Sequence, residues 1–333
     1  MSAKPAILVC GGAGYIGSHM CKRLARAGYT PVTFDNLSTG HRRAVRWGPL
    51  IEGDLLDAAA LGKAFRDHPL QGVMHFAARS IVSESVSDPG LYFRNNIAGT
   101  LNLLDAMRTS GVDRLVFSST AAVYGNPVEV PITEGHPTQP INPYGQSKLY
   151  AEGVIGAYCS AHGLRAIALR YFNAAGADPD GEIGESHEPE THLIPNALRA
   201  AASGAAVKVF GDDYPTPDGT CVRDYVHVDD LCDAHLLALD RLAARPGFEV
   251  FNLGGGTGRS VLEVLSTCRE ATGLPLQEDR VARRSGDPAV LVASSAAARE
   301  QLGWSPRHDL RDCITHAFKW TQSSKSDVGE ALA

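Results

Sequence analysis

Tyr144 and Lys148 are the two side chains of this sequence best placed to move a proton. They stand four residues apart in the segment NPYGQSK, and residues four apart share one face of a helix. Asn142 and Pro143 directly precede them and are typical of a helix N-cap and first turn. A phenol has a reference pKa of about 10, but a neighbouring ammonium favours its phenolate. The pair therefore predicts a general base that acts on a hydroxyl group.

A third group for the same site ends a predicted strand. The segment FSSTAAVYG, residues 117–125, carries three serine and threonine hydroxyls at the end of the strand, and Thr120 is placed to hydrogen-bond the reacting oxygen. A surface helix pair would explain the tyrosine and the lysine alone, but not the threonine as well. The three residues together predict a catalytic arrangement of hydroxyl, phenol and ammonium.

A glycine-rich turn predicts a dinucleotide site. The run GGAGYIG, residues 11–17, follows the first strand pattern and opens a helix, where backbone N–H groups can approach a pyrophosphate. Asp35 ends the second strand pattern, where a carboxylate binds both ribose hydroxyls and repels a 2′-phosphate. The sequence therefore favours NAD over NADP, although Asp35-Asn36 is also good turn chemistry.

Short aliphatic runs alternate with longer amphipathic stretches. These elements must position the candidate catalytic and cofactor-binding residues. Strands are expected near residues 6–10, 31–35, 50–51, 72–76, 114–118 and 164–169. The alternation predicts a parallel sheet covered by helices on both faces, with functional residues beyond the carboxyl ends of the strands. It stops at an acidic loop, residues 178–190, and a smaller mixed lobe follows.

Composition narrows the classes of function. Hydrophobic residues make up 44% of the 333 residues and charged residues 20%, as in a globular protein. The formal charge of −6 leaves no basic surface for nucleic acid or an anionic membrane, and no apolar run reaches membrane-spanning length. The seven cysteines lack disulfide or zinc-site spacing, and the first ten residues lack a signal-peptide pattern. We expect a cytoplasmic protein with reduced thiols.

These motifs, together with others in the same order, resemble the UDP-glucose 4-epimerase family of extended short-chain dehydrogenases. The matching segments span nearly the whole chain and are GGAGYIGSH, FDNLSTG, EGDL, HFAARSIVSES, NNIAGT, FSSTAAVYG, NPYGQSK, LRYFNAAGA, DYPTPDGTCVRDYVHV, FNLGGGTG and RRSGDPA. The resemblance implies an α/β fold, a Rossmann-type doubly wound parallel sheet with a smaller mixed α/β substrate-binding lobe. It also implies a UDP-sugar substrate, a tightly held NAD, a homodimer, and Thr120, Tyr144 and Lys148 as catalytic residues.

By the same resemblance, residues 1–176 form the NAD-binding domain, with about 224–245 returning to it, and residues 177–223 and 246–325 form the UDP-sugar lobe. The residues expected to bind the cofactor are Gly11, Gly14, Tyr15, Ile16, Gly17, Asp35, Asn36, Asp54, Leu55, Phe76, Ala77, Ala78, Asn95, Ser118, Tyr144, Lys148 and Tyr171. The residues expected to bind the substrate are Ser119, Thr120, Tyr144, Asn173, Leu193, Val209, Phe210, Arg223, Tyr225, Arg284, Asp287 and Leu291.

Two alanines disfavour related enzyme classes whose reaction also begins with oxidation of the sugar. Nucleotide-sugar 4,6-dehydratases and UDP-glucuronate decarboxylases carry acids after the catalytic threonine, where this sequence has Ala121 and Ala122. Without an acid to protonate a leaving 6-hydroxyl, elimination is disfavoured. A catalytically silent NAD-binding protein can lose Tyr144 and Lys148, and both are present here.

The sequence does not decide which sugar the substrate carries. UDP-glucose and UDP-galactose are the expected pair, with UDP-N-acetylglucosamine or a UDP-xylose pair as alternatives. Leu291 falls where the family places a gate against the 2-substituent, filled by tyrosine in members restricted to glucose and galactose. His192 stands where asparagine often occurs. His187 and His192 have poor spacing for a metal and are expected to face solvent, so no metal is assigned.

Overall fold

The main sheet contains seven parallel strands and lies between two layers of helices. The computed structural model describes residues 4–284 and 286–330. Its strands are β1 (Ala6–Cys10), β2 (Thr30–Asp35), β3 (Leu50–Glu52), β4 (Leu70–His75), β5 (Arg114–Thr120), β6 (Arg165–Tyr171), β7 (Asn173–Ala175), β8 (Ala206–Phe210), β9 (Val222–His227), β10 (Gly247–Leu253), β11 (Gly258–Ser260), β12 (Gln277–Val281) and β13 (Val290–Leu291). Its α-helices are α1 (Tyr15–Arg26), α2 (Ala58–Asp67), α3 (Val82–Ser87), α4 (Pro89–Phe93), α5 (Gly99–Ser110), α6 (Pro143–His162), α7 (Leu193–Ser203), α8 (Val228–Arg241), α9 (Val261–Thr272), α10 (Ala296–Leu302) and α11 (Leu310–Glu330).

The strand order explains where a site can form. The order is β10-β6-β5-β4-β1-β2-β3, and every neighbouring pair is parallel. The chain moves outward from β1 to β3 and then returns to β4 on the other side of β1, which opens a crevice at the carboxyl ends of β1 and β4. The aliphatic run of β1 is buried on both faces, because helices cover both sides of the sheet.

The two helical layers bury separate apolar clusters on opposite faces of the sheet. Helices α2, α5 and α6 bury their apolar residues on one face of the sheet. Helices α1, α8 and α10 cover the opposite face, together with Trp304. The predicted doubly wound parallel sheet is therefore the observed architecture, and the six strands expected from sequence all belong to it.

The second lobe is smaller and mixed, as expected. Strand β9 pairs with β7, β11 and β13, and β8 pairs with β12. Helices α7, α9 and α11 bury a separate apolar core around these strands. Residues 178–192 contain no helix or strand within the described chain, which matches the acidic loop expected between the lobes.

The structure divides the chain differently from the expected boundary at residue 246. Strand β10 pairs with β6 along its whole length and completes the main sheet, although the sequence placed it in the second lobe. Helix α10 also packs on the first lobe. The difference arises because strand pairing depends on where a chain returns in space, which no local pattern in residues 247–253 reveals.

Residues 89–110 do not form one continuous α-helix. Helix α4 passes into a wider π-helical turn, Arg94–Ala98, before α5 begins. Such turns insert an extra residue and redirect side chains, often at functional sites. Here the turn places Asn96 in the protein interior.

Each of the seven cysteines is buried as a free thiol. Among the described residues, no helix combines the length and the apolar character needed to cross a membrane.

A buried ion pair joins α6 to the adjoining strands β5 and β6. The Arg170 guanidinium donates to both oxygens of Glu152, at 2.9 and 2.5 Å, and to the Tyr124 hydroxyl at 3.0 Å. Ser119 donates to the same carboxylate at 2.5 Å. Arg170 and Glu152 are both almost completely buried, so each charge depends on the other for compensation.

Arg170→Met is expected to lower the free energy of unfolding by about 3–5 kcal/mol, because it leaves the Glu152 charge buried without its partner. The matched control is Arg165→Met on the same strand. Arg165 pairs with the half-exposed Asp113 at 2.6 Å, so its loss should cost about 1 kcal/mol or less. Urea denaturation measures both values. Equal losses in the two variants would show that the buried pair contributes no more than a surface pair.

Candidate active site

One cleft lies between the two lobes and gathers most of the residues singled out in the sequence. Its volume is about 460 Å³, within the range of small-molecule sites. Its wall contains all of the residues expected to bind the cofactor. From the second lobe it adds Asn173, Arg223, Asp287 and Leu291.

The glycine turn at the base of the cleft has no room for larger residues. Gly11 has φ +80°, and a Cβ on Gly17 would stand 2.1 Å from the Gly11 carbonyl oxygen. Gly14 occupies the N-cap of α1, and no described side chain caps this helix. The first-turn N–H groups of α1 have no intrahelical partners and can meet an anion. The turn therefore fits a dinucleotide pyrophosphate.

Asp35 braces the glycine turn from the end of β2. Its carboxylate accepts hydrogen bonds from the Ala13 amide at 2.9 Å and the Leu37 amide at 2.8 Å. Burial raises the pKa of Asp35, and the two amides oppose that shift. Asn36 donates to Asp54 at 2.8 Å, which brings a second carboxylate to this wall. These acceptors suit ribose hydroxyls and would repel a 2′-phosphate.

The proposed catalytic residues meet on the opposite wall. The Asn142 side chain caps α6 by accepting from the Gly145 amide at 2.9 Å, which starts the helix just before Tyr144. Tyr144 is hydrogen-bonded to Thr120 at the end of β5. Lys148, one turn later, donates to the Ser118 carbonyl at 2.7 Å.

Burial changes the acidity of both groups on this helix. It lowers the pKa of Lys148 to about 7, against an opposing effect of the Glu152 carboxylate. It raises the pKa of Tyr144, while the hydrogen bond with Thr120 opposes that increase. Lysine alone therefore does not create the phenolate that the spacing suggested. The chain by itself keeps Tyr144 in the phenol form at neutral pH.

Asn96 was missed by the sequence reasoning and supports this wall. Its side-chain oxygen accepts from the Arg79 amide at 2.9 Å, and its nitrogen donates to the Arg79 carbonyl at 3.0 Å. The same nitrogen donates to the Ser147 hydroxyl at 2.9 Å. Asn96 thus links the loop after β4 to the catalytic helix. The repeated asparagine in NNIAGT was the available signal, but its inward direction depends on the π-helical turn.

Ser119 does not face the cleft, contrary to its expected contact with substrate. Successive residues of a strand point to opposite sides, so Ser118 and Thr120 reach the cleft while Ser119 points into the core. There its hydroxyl donates to Glu152. Its role in this structure is to hold the end of β5.

The second lobe contributes an arginine at the mouth of the cleft. Arg223 does not pair with its neighbour Asp224, as a surface pair would, but with Asp287 across the lobe. Asp224 is buried and accepts from the amides of Ala293, Gly255 and Gly256 at 3.0, 2.7 and 3.1 Å. Arg223 therefore lines the cleft with Asp287 as its ion-pair partner, and a guanidinium is a group that can bind an anion.

The remaining expected substrate residues lie outside the cleft wall as the described residues form it. Val209 is fully buried in the core of the second lobe. Leu193 and Tyr225 pack against the core of the second lobe. The Arg284 guanidinium stacks on the Phe210 ring, 3.9 Å from its centre.

Histidines line the mouth of the cleft together with buried carboxylates. His192 Nδ1 lies 2.5 Å from Glu185 and 3.2 Å from Glu190, and these carboxylates raise the pKa of His192 to about 10 against the effect of burial. Burial acts to raise the pKa of Glu185, but the two histidines together outweigh it and hold that pKa down at about 2. His192 is half-exposed, as expected, but the charged partners around it were not foreseen.

Known proteins resemble this chain over nearly its whole length. The model of the NAD dependent epimerase/dehydratase family matches residues 7–254. The UDP-glucose 4-epimerase of Rhizobium leguminosarum bv. trifolii is 49% identical over 97% of this chain and 99% of that protein.

Two solved structures share the fold. The UDP-glucose 4-epimerase of Brucella ovis in complex with NAD superposes with a TM-score of 0.92 at 51% identity, covering 94% of this chain and 97% of that chain. The UDP-glucose-4-epimerase of Stenotrophomonas maltophila, with bound NAD and formylated UDP-arabinopyranose, has a TM-score of 0.94 at 39% identity and covers 98% of this chain and 100% of that chain.

Gly17→Ala is expected to reduce the dinucleotide retained through gel filtration by about tenfold or more, because the added methyl group collides with the Gly11 carbonyl and opens the turn. Gly153→Ala on α6 is the control, since no heavy atom lies within 4 Å of its added Cβ. Bound dinucleotide is measured after acid release. Full retention in the Gly17 variant would show that this turn does not hold the pyrophosphate.

Proposed function

The chain belongs to the NAD dependent epimerase/dehydratase family, and we propose that it interconverts UDP-glucose and UDP-galactose at C4, with Tyr144 as the base. The observation that carries the proposal is the meeting of Thr120, Tyr144 and Lys148 in the cleft that also contains the glycine turn. Full-length relatives about half identical are UDP-glucose 4-epimerases. The chain is accordingly an NAD-dependent isomerase of UDP-sugars.

Tyr144 performs the proton transfer in this proposal. Its oxygen takes the proton from the 4-hydroxyl of the sugar and later returns it, while Thr120 hydrogen-bonds the same oxygen. NAD, when bound, supplies the hydride acceptor and donor for C4, and its positive charge favours ionisation of the phenol. The sugar passes through a 4-keto intermediate.

Lys148 lines the cleft one helical turn after Tyr144, and two contacts fix its position. The Ser118 carbonyl accepts from its ammonium, and the Phe117 ring lies 4.8 Å from Nζ. An ammonium held in this way stabilises negative charge on Tyr144 as the proton moves. It also offers a donor to the cofactor ribose.

Inversion requires the keto sugar to present its other face. We infer that the diphosphate is held firmly by Arg223, with Asn173 nearby, while the sugar is contacted loosely. Arg223 suits this role because a guanidinium binds paired phosphate oxygens. The exposed Arg284, stacked on Phe210, and the start of α7 at Leu193 are proposed to receive the uridine end.

The wall next to Thr120 argues against elimination chemistry. Ala121 and Ala122 both line the cleft beside the catalytic group. Neither can protonate a leaving 6-hydroxyl, so a dehydratase reaction lacks its acid at this place.

We also propose a cytoplasmic homodimer that serves galactose metabolism. Helices α5 and α6 lie side by side on one face of the sheet, a suitable arrangement for a four-helix contact with a second copy. Tyr150 on α6 and Val86 on the neighbouring α3 leave half or more of their surface exposed, which favours such a contact.

Tyr144→Phe is expected to reduce kcat by about 10²- to 10⁴-fold, because it removes the group that transfers the proton. Bound NAD and the unfolding midpoint should stay unchanged. Tyr150→Phe, on the same helix but outside the cleft, is the control and should keep full activity. Turnover of UDP-galactose provides the measurement, and near-normal turnover in Tyr144→Phe would refute the assigned base.

Leu291 tests the range of sugars. It pairs with Arg223 through β13 and lines the cleft, where its side chain also packs beside Tyr124. We predict main activity on UDP-glucose and UDP-galactose and measurable activity on UDP-N-acetylglucosamine, because leucine leaves more room than tyrosine for the acetamido group.

The variant Leu291→Tyr should lower the ratio of N-acetylated to plain activity by about tenfold, a change typical of crowding in an apolar pocket. Leu291→Ala should raise that ratio. Initial rates on both substrates give the ratio directly. If neither variant changes it, Leu291 is a packing residue and the gate lies elsewhere.

A further inference from the structure

Four side chains at the mouth of the cleft form a compact group that the proposed reaction does not use. The Glu–His cluster consists of Glu185, His187, Glu190 and His192, whose nearest nitrogen and oxygen atoms all lie within 4.8 Å of one another. In sequence they form a repeated Glu-x-His pattern, ESHEPETH, with a bend at residues 188–189 between the two halves. The individual spacings hid this group from the sequence reasoning.

The donor atoms already converge on one point. Glu185 Oε1 accepts from Nδ1 of His187 at 3.0 Å and from Nδ1 of His192 at 2.5 Å. Glu190 Oε1 lies 3.2 Å from the same His192 nitrogen. Donor atoms around a tetrahedral zinc ion lie about 3.4 Å apart when the bonds are about 2.0–2.1 Å long. To match that geometry, the 2.5 Å contact would widen and separations of up to 4.8 Å would close.

Among the described residues, the charges of the cluster are compensated by groups that are themselves half-exposed, His192 and Arg199. The Glu185 and Glu190 side chains are only 7% and 1% exposed, which places two carboxylates in a site with little water. Oε2 of Glu190 is buried and has no hydrogen-bond partner among the described residues. The nearest guanidinium, that of Arg199, is 4.0 Å away and half-exposed. A buried, unpaired carboxylate oxygen is costly unless a cation compensates for it.

A second acidic group of the chain shows what a satisfied cluster looks like. Asp178, Asp180 and Glu182 also converge, but the Lys22 ammonium lies between them at 2.7, 3.2 and 2.6 Å. That group already contains its cation. The Glu–His cluster has no lysine among the described residues in the same role.

We propose that Glu185, His187, Glu190 and His192 form a binding site for one divalent transition metal ion, with zinc as the best match. Two imidazole nitrogens and two carboxylate oxygens are a donor set that zinc accepts with tetrahedral geometry. A metal ion there takes the place of the protons that the histidines share with the carboxylates. Four protein donors leave no open coordination position, so the role is structural.

The location of the site gives the metal a specific task. His187 packs edge-on against Tyr15 of the glycine turn, with ring centres 6.3 Å apart. Nε2 of His41, in the first lobe, is hydrogen-bonded to the Ser186 carbonyl oxygen at 2.8 Å. His192 is the N-cap of α7 in the second lobe. A metal ion would therefore tie the loop between the lobes to both sides of the cleft.

Metal binding is tested on the untagged holoenzyme after dialysis against a chelator and then against metal-free buffer. The protein is incubated with zinc alone, passed through gel filtration and analysed for metal by mass spectrometry. We expect one zinc per chain and a raised unfolding midpoint, since a ligand that binds only the folded state stabilises it. Retention of less than about a tenth of an equivalent would overturn the proposal.

Variants assign the ligands. His192→Asn and Glu190→Gln should each lower zinc retention by about tenfold or more, while His162→Asn, at the distant end of α6, should retain one equivalent. Undiminished retention in the double variant His187→Asn/His192→Asn would place the metal elsewhere and refute the site. Cobalt in the wild-type protein supplies a check that does not depend on variant folding. A tetrahedral visible absorption spectrum supports the site, and an octahedral spectrum contradicts it.

Discussion

The burial of the Lys148 ammonium is the constraint on which the active-site wall depends. A lysine that is only 3% exposed loses its hydration, and this loss lowers its pKa to about 7. The position is tolerated because the Ser118 carbonyl accepts from Nζ and the Glu152 carboxylate lies one turn further along α6. Glu152 needs Arg170 in turn. The catalytic helix, β5 and β6 are thus connected through charges that cannot be removed one at a time.

Local positive regions of the cleft explain how a chain of negative net charge can receive an anionic substrate. The formal charge of −6 offers no general attraction, so the anion must be met locally. The N-terminus of α1 and Arg223 provide two separate positive regions, one on each lobe. Tyr144 lines the same cleft. In the proposed reaction the phosphates are held firmly at the positive regions, while the sugar is contacted loosely.

Local patterns predicted the parts of the fold that depend on neighbouring residues. The glycine turn, Asp35, and the pair Tyr144 and Lys148 were foreseen because strand ends and helix spacing place them without long-range information. The assignment of β10 to the main sheet was not foreseen, since pairing with β6 depends on the return of the chain. The inward direction of Ser119 follows from strand alternation, and the family resemblance alone had obscured it. The Glu–His cluster required the loop to be folded before its donors could be seen together.

In the proposed reaction, hydrogen leaves C4 of the sugar and returns to the same carbon within this cleft. UDP-galactose labelled with deuterium at C4 tests it most directly, with the purified protein in ordinary water and without added coenzyme. We expect UDP-glucose that keeps its deuterium at C4, because the hydride passes between C4 and the bound coenzyme without exchange with solvent. UDP-glucose with ordinary hydrogen at C4, or a 4-keto-6-deoxy product, would contradict it.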